Sequence, residues 1–152
     1  MISPEILRYY PLFAGQNAEM LKQIALLADE KEVKEGGRLF FEGEIANTLC
    51  LIEEGAVSLT MNLGEHGERR IEKLEPLGKG EVIGWSALIE PHEYTMGATA
   101  EEQTRYVAFD GLALRKLLDE NQEAGYFLYK KLAEVMAQRL VSKCTQIMSL
   151  MI

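Results

Sequence analysis

The chain has 152 residues, 47% of them hydrophobic, and a mean hydropathy of −0.09, which fits one globular domain with a single core. No apolar run approaches the ~18–20 residues a membrane span requires, and the N-terminus lacks the basic start and apolar segment of a signal peptide, so a cytoplasmic protein without membrane partners is expected. A net charge of −8 disfavours nucleic acid as a partner, because the small basic groups at Arg69-Arg70 and at Lys130, Lys131, Arg139 and Lys143 read as solvated faces.

In chain order, residues 2–29 read as helical. Ser3-Pro4-Glu5 supplies a capping serine, a proline at the first helical position and an early acid. Pro11 breaks the segment, and a second helix starts at Asn17 with Met20, Leu21, Ile24, Leu27 and Ala28 at helical spacing. From about residue 31 to 110 the pattern changes to short β-forming runs punctuated by glycine, at 38–41, 48–52, 56–63, 70–74, 81–83, 95–98 and 105–109. This spacing predicts an antiparallel sandwich or barrel. Within 56–63, Val57, Leu59 and Met61 alternate with Ser58, Thr60 and Asn62, as in a half-buried strand, and Gly64-Glu65-His66-Gly67 reads as a hairpin tip. Residues 112–118 form a short helix, and a longer one runs from about Gln122 to the C-terminus. The whole chain, 1–152, is read as a single domain: helices over about 1–30, β-structure over 31–110, helices over 111–152.

The last helix carries two apolar stripes. Leu128, Leu132 and Val135 share one. Tyr129, Ala133, Met136, Leu140, Cys144, Ile147 and Met151 share the other, in steps that resemble a coiled-coil seam. A helix of roughly 30 residues is about 45 Å long and outruns a barrel of this size, so the second stripe is expected to pack against a second copy in a C2 homodimer. The two cysteines, Cys50 and Cys144, are far apart in sequence and lie in apolar surroundings; they read as buried free thiols. No metal site is expected, since His66 and His92 are the only histidines and each lies in a turn.

The segment 80–100 holds the chemistry. Gly84 permits close backbone approach. The amides of Ser86, Ala87 and Leu88 read as the start of a helical turn facing an anion, and Thr95 adds a hydroxyl as the chain returns. Trp85 and Tyr94 would stack on a flat ring or cover a pocket. The plainer reading is open at this point: a turn glycine, a capping serine and two core or rim aromatics.

These residues sit within a longer set that resembles a known family. Pro11-Leu12-Phe13 before an amphipathic helix, Glu42-Gly43-Glu44, Leu51-Ile52-Glu53-Glu54-Gly55 with Val57, Gly78-Lys79-Gly80-Glu81-Val82-Ile83-Gly84 and Ala98-Thr99-Ala100 are similar to the cyclic nucleotide-binding domain of bacterial CRP/FNR-type regulators. The resemblance covers nearly the whole chain. It implies a mainly β fold, an eight-stranded antiparallel β-roll (jelly-roll-like, a double-stranded β-helix) with N-terminal helices and a long C-terminal helix that forms the dimer seam. It also implies a cyclic nucleotide or another small anion as ligand.

Two departures qualify the resemblance. Trp85 stands where the family's binders carry a glutamate for the ribose, and Tyr94 stands where they carry an arginine for the phosphate, while the adjoining Thr95 is kept. The chain also ends at Ile152, where the family's transcription factors continue into a helix-turn-helix, so direct DNA binding is not expected. The leading expectation is a stand-alone, non-enzymatic sensor module with an altered cassette, acting through helix rearrangement or on a protein effector. The alternatives are a dimerisation or interaction module with a vestigial pocket and a true cAMP or cGMP binder. A cupin-like enzyme ranks last, because such sites need clustered histidines.

Overall fold

The computed structural model describes residues 2–152. Two antiparallel four-stranded sheets face each other, and helices close the roll at both ends of the chain. One sheet has the order β1-β8-β3-β6, from β1 (Ala28–Val33), β8 (Thr104–Asp110), β3 (Thr48–Glu54) and β6 (Val82–Ile83). The other has the order β2-β7-β4-β5, from β2 (Arg38–Phe40), β7 (Gly97–Ala100), β4 (Val57–Asn62) and β5 (Ile71–Lys73). The eight-stranded β-roll implied by the resemblance is therefore present.

The central strand β3 carries the near-continuous apolar run Leu49, Cys50, Leu51 and Ile52, all buried. It pairs with β8 on one side, Leu51 opposite Val107, and with β6 on the other, Cys50 opposite Ile83. Phe109 of β8 meets Phe13, with ring centroids 5.2 Å apart, which seats the N-terminal segment on the core.

The N-terminal region is less helical than its sequence reads. Pro4–Leu7 forms α1, Pro11–Phe13 a 3-10 turn, and Ala18–Ala25 the helix α2. Asn17 caps α2 by accepting a hydrogen bond from the Met20 amide at 2.8 Å. Ser3 occupies the capping position of α1, but its side chain makes no capping bond. Leu27 lies outside α2, and Ala28 and Asp29 belong to β1, which begins before the expected start of the β-region. Asp29, Glu30, Lys31 and Glu32 are exposed along this edge strand, and such charges blunt an open sheet edge against further pairing.

The alternation within β4 also differs from expectation. Ser58 and Thr60 are buried, whereas Leu59 and Met61 are only partly covered. The reason for Leu59 is that it borders the groove and the small cavity described below rather than closed core. The tip joining β4 to β5 places Asn62 opposite Ile71.

After β8, Asp110 caps α3 (Gly111–Glu120), and α4 runs from Gln122 to Leu150 (Gln122–Leu150). The first half of α4 is anchored by Ala124, Gly125, Leu128 and Leu132, all buried. Beyond Leu132 no residue of α4 is fully buried. Among the described residues no helix is long and apolar enough to cross a membrane.

Candidate functional site

The segment 80–100 leaves β6 at Gly84, makes one 3-10 turn over Trp85–Ala87, and returns through Pro91, His92 and Tyr94 into β7. Gly84 has φ +77°, and a Cβ there would lie 2.9 Å from the Thr48 carbonyl oxygen and 3.4 Å from the Tyr94 ring. Both the left-handed backbone and the close approach require glycine. His92 closes the loop, its Nδ1 lying 3.0 Å from the Ser86 carbonyl oxygen.

Two of the three amides expected to be free, those of Ala87 and Leu88, are engaged within the turn. The Ala87 amide donates to the Gly84 carbonyl at 3.0 Å and the Leu88 amide to the Trp85 carbonyl at 2.9 Å, so the turn consumes them internally. The side chains of Ala87 and Leu88 point into the core, both buried. The structure gathers Gly84, Trp85, Ser86, Tyr94 and Thr95 around one small cavity of about 40 Å³, together with Phe40 and Arg139. That is the scale of one or two water molecules.

Tyr94 is 5% exposed. Its ring stacks on Phe40, centroids 3.9 Å apart, and its hydroxyl donates to the Thr48 carbonyl at 2.8 Å while accepting from the Thr48 amide at 3.1 Å. Burial pushes the phenol's pKa above its ordinary value, against the opposing effect of these hydrogen bonds. Tyr94 is thus a fully engaged structural side chain in the wall of the cavity, and Thr95 beside it is exposed.

Trp85 is half-buried and meets α4. The Arg139 guanidinium lies over its ring, 4.8 Å from the centroid, in cation–π geometry. Arg139 Nη2 also pairs with Glu81 Oε2 at 2.8 Å and donates to the Val82 carbonyl. On the other flank, Arg115 of α3 donates to the Ala87 carbonyl. Both C-terminal helices are therefore tied by arginines to the strand and turn that form the cavity. The sequence reading missed this role for Arg139, grouping it with solvated basic residues. A signal was available: Leu128, Leu132, Val135 and Arg139 follow steps of four, three and four, so a charge continues the barrel-facing stripe.

Along the other stripe, Tyr129 is partly covered, while Ala133, Met136, Leu140, Cys144, Ile147 and Met151 are exposed in the single chain. Cys144 is therefore not a buried thiol, because it lies on the part of α4 that projects past the roll. Cys50 is buried in β3, and burial pushes its thiol up to about 11 despite the nearby Thr48 hydroxyl and Lys31.

Between the projecting half of α4 and the roll lies a larger apolar groove of about 760 Å³, lined by Leu59, Leu74, Leu77, Val82 and Val135 among others. Trp85 and Arg139 border both this groove and the small cavity.

Residues 30–121 match the sequence model of the cyclic nucleotide-binding domain family. The chain belongs to this family. The domain is 30% identical over 134 residues to the cyclic AMP receptor protein of Thermus thermophilus, covering 86% of this chain and 57% of that protein. It is 31% identical over 108 residues to a Rhodopseudomonas palustris protein named as a potassium channel protein, covering 71% of this chain and 25% of that one. The domain thus spans about half or less of the length of these relatives. It superposes on a crystal structure from Geobacter metallireducens GS-15, assigned to the cyclic nucleotide-binding proteins, with a TM-score of 0.82 at 36% identity, covering 92% of this chain and 99% of that one.

Proposed function

We propose that this cyclic nucleotide-binding domain is a non-enzymatic, cytoplasmic regulatory module whose cassette has altered ligand specificity and which signals through its C-terminal helices as a homodimer. In this reading the whole chain is one domain, it does not itself bind DNA, and its output passes to a protein effector.

The observation that carries the reading is the engagement of Tyr94. Its stack on Phe40 and its hydrogen bonds to Thr48 fill the cavity wall, and a neutral phenol rather than a guanidinium occupies position 94 on the returning arm. The remaining space of about 40 Å³ is far below the ~300 Å³ at which ordinary ligand pockets begin. Transmission is supported by the two arginine ties, Arg115 to Ala87 and Arg139 to Glu81 and Val82. A ligand that prefers one setting of these ties shifts α3 and α4 by that preference and no more.

Titration calorimetry of the purified chain against cAMP, cGMP and cyclic dinucleotides tests the proposal. No cAMP or cGMP binding at micromolar concentration is expected, and a micromolar Kd for cAMP would overturn it in favour of an ordinary cyclic-nucleotide sensor. Mass spectrometry of small molecules retained through purification separates an altered pocket, which yields a ligand, from a vestigial one, which yields none.

A further inference from the structure

We infer that Arg139 is the anion-recognition residue of the cassette: it binds the oxyanion head of a small organic anion whose apolar body lies in the groove between α4 and the roll. The inference rests on the reading that the cassette is a ligand pocket, and it adds the residue and the ligand class.

Three observations converge. First, among the described residues Arg139 is the only charged one lining the small cavity, beside Ser86, Thr95, Tyr94 and apolar groups. Second, its Nε and Nη1 are buried and make no hydrogen bond among the described residues, although its Nη2 is paired with Glu81 and the Val82 carbonyl. Buried guanidinium donors without acceptors are costly, and a carboxylate or phosphoryl oxygen is the acceptor that matches them best. Third, the same guanidinium and Trp85 border the apolar groove of about 760 Å³. The cavity of about 40 Å³ has room for little more than an oxyanion head, so the rest of the molecule extends past Trp85 into that groove. Leu59, Leu74, Leu77, Val82 and Val135 line it and favour an apolar or aromatic body.

Glu81 makes the arrangement responsive. Its carboxylate, 2.8 Å from Arg139 Nη2, is an internal competitor for the guanidinium. An incoming oxyanion redistributes Arg139 between Glu81 and the ligand and, through its place on α4, biases where that helix sits.

Trp85 is the sole tryptophan of the sequence and touches Arg139, so its fluorescence reports directly on the site. The full chain is titrated with phenyl phosphate, phenylacetate, inorganic phosphate and benzyl alcohol. A saturable change with phenyl phosphate or phenylacetate is expected, weaker with inorganic phosphate and absent with the neutral alcohol; which of the first two binds tighter separates phosphoryl from carboxylate heads. Arg139→Gln is expected to weaken binding by about tenfold or more, and Glu81→Gln, which keeps Arg139 and removes its competitor, to tighten it several-fold. The inference is overturned by equal binding of benzyl alcohol or by no response to any oxyanion. It is also overturned by an Arg139→Gln variant that melts earlier yet binds as the parent does, which would make Arg139 only a strut for α4. Binding that survives Arg139→Gln but is lost in Thr95→Val overturns the role of Arg139 while leaving the cassette as a ligand pocket.

Discussion

Tyr94 lies flat against Phe40, with ring centroids 3.9 Å apart and planes 12° from parallel, while its hydroxyl bridges both the N–H and the C=O of Thr48. The returning arm of the cassette is thereby fastened to β3, the central strand of the first sheet. Tyr94→Phe keeps the stack and removes only the bridge. It leaves a part-buried carbonyl and amide short of a partner, and the expected loss is about 1–3 kcal/mol in urea unfolding. The alkaline limb adds a second readout. The Tyr94 phenol is raised by burial, so its contribution to stability is fully present below the ordinary tyrosine pKa and is lost as pH rises through the higher folded-state value. The stability difference between parent and Tyr94→Phe is therefore expected to shrink at pH above about 10. A variant as stable as the parent at neutral pH would show that the bridge contributes nothing.

The two thiols differ by environment rather than by sequence context. Cys50 is buried in β3 and pushed up to about 11, so at pH 8 only about one molecule in a thousand carries its thiolate, and the side chain is sheltered as well. Cys144 is exposed on the single chain. Titration with dithiobis(nitrobenzoate) at pH 8 is expected to modify one thiol per native chain, slowly while the α4 seam is closed, and two in denaturant. Peptide mapping should place the native adduct on Cys144. Rapid native modification of Cys50 would mean that β3 opens on the timescale of the assay.

Much of this architecture was legible because most elements announce themselves locally. The apolar run of β3, the glycine-punctuated strands and the asparagine cap of α2 are short-range signals. β1 was hidden, because an edge strand carrying Asp29, Glu30, Lys31 and Glu32 shows no apolar alternation, and its pairing with β8 is a contact across some 75 residues of sequence. In the cassette, Gly84 takes the left-handed turn of the plainer reading, with φ +77° and close contacts to Thr48, Phe40 and Tyr94. The fate of the Ala87 and Leu88 amides was not legible, because a 3-10 turn and the start of a longer helix share their first residues. The role of Arg139 is tertiary: only the packing of α4 on the roll brings it to Trp85 and Glu81.

The exposed stripe of α4 makes the last prediction. Leu140 is 65% exposed and Ile147 58% on a helix whose 29 residues extend about 44 Å, Met151 just past its end is 80% exposed, and nothing after Leu132 is fully buried. Isolated apolar residues on a surface need no explanation, but a stripe at steps of four and three along one helix face is the pattern of a helix–helix seam. Two copies related by a twofold axis would cover the stripe with itself, each Leu140 and Ile147 facing apolar neighbours of the other chain. Light scattering coupled to gel filtration is expected to give about twice the chain mass of 17.1 kDa for the parent. Leu140→Asp with Ile147→Asp buries charge in that seam and is expected to give the single-chain mass with an unchanged circular dichroism spectrum, because neither side chain is buried in the roll. Cys144 lies between these positions, so its reaction rate with the thiol reagent should rise when the seam opens. A parent that is monomeric at tens of micromolar, or a double aspartate variant that remains dimeric, would rule out α4 as the dimer seam.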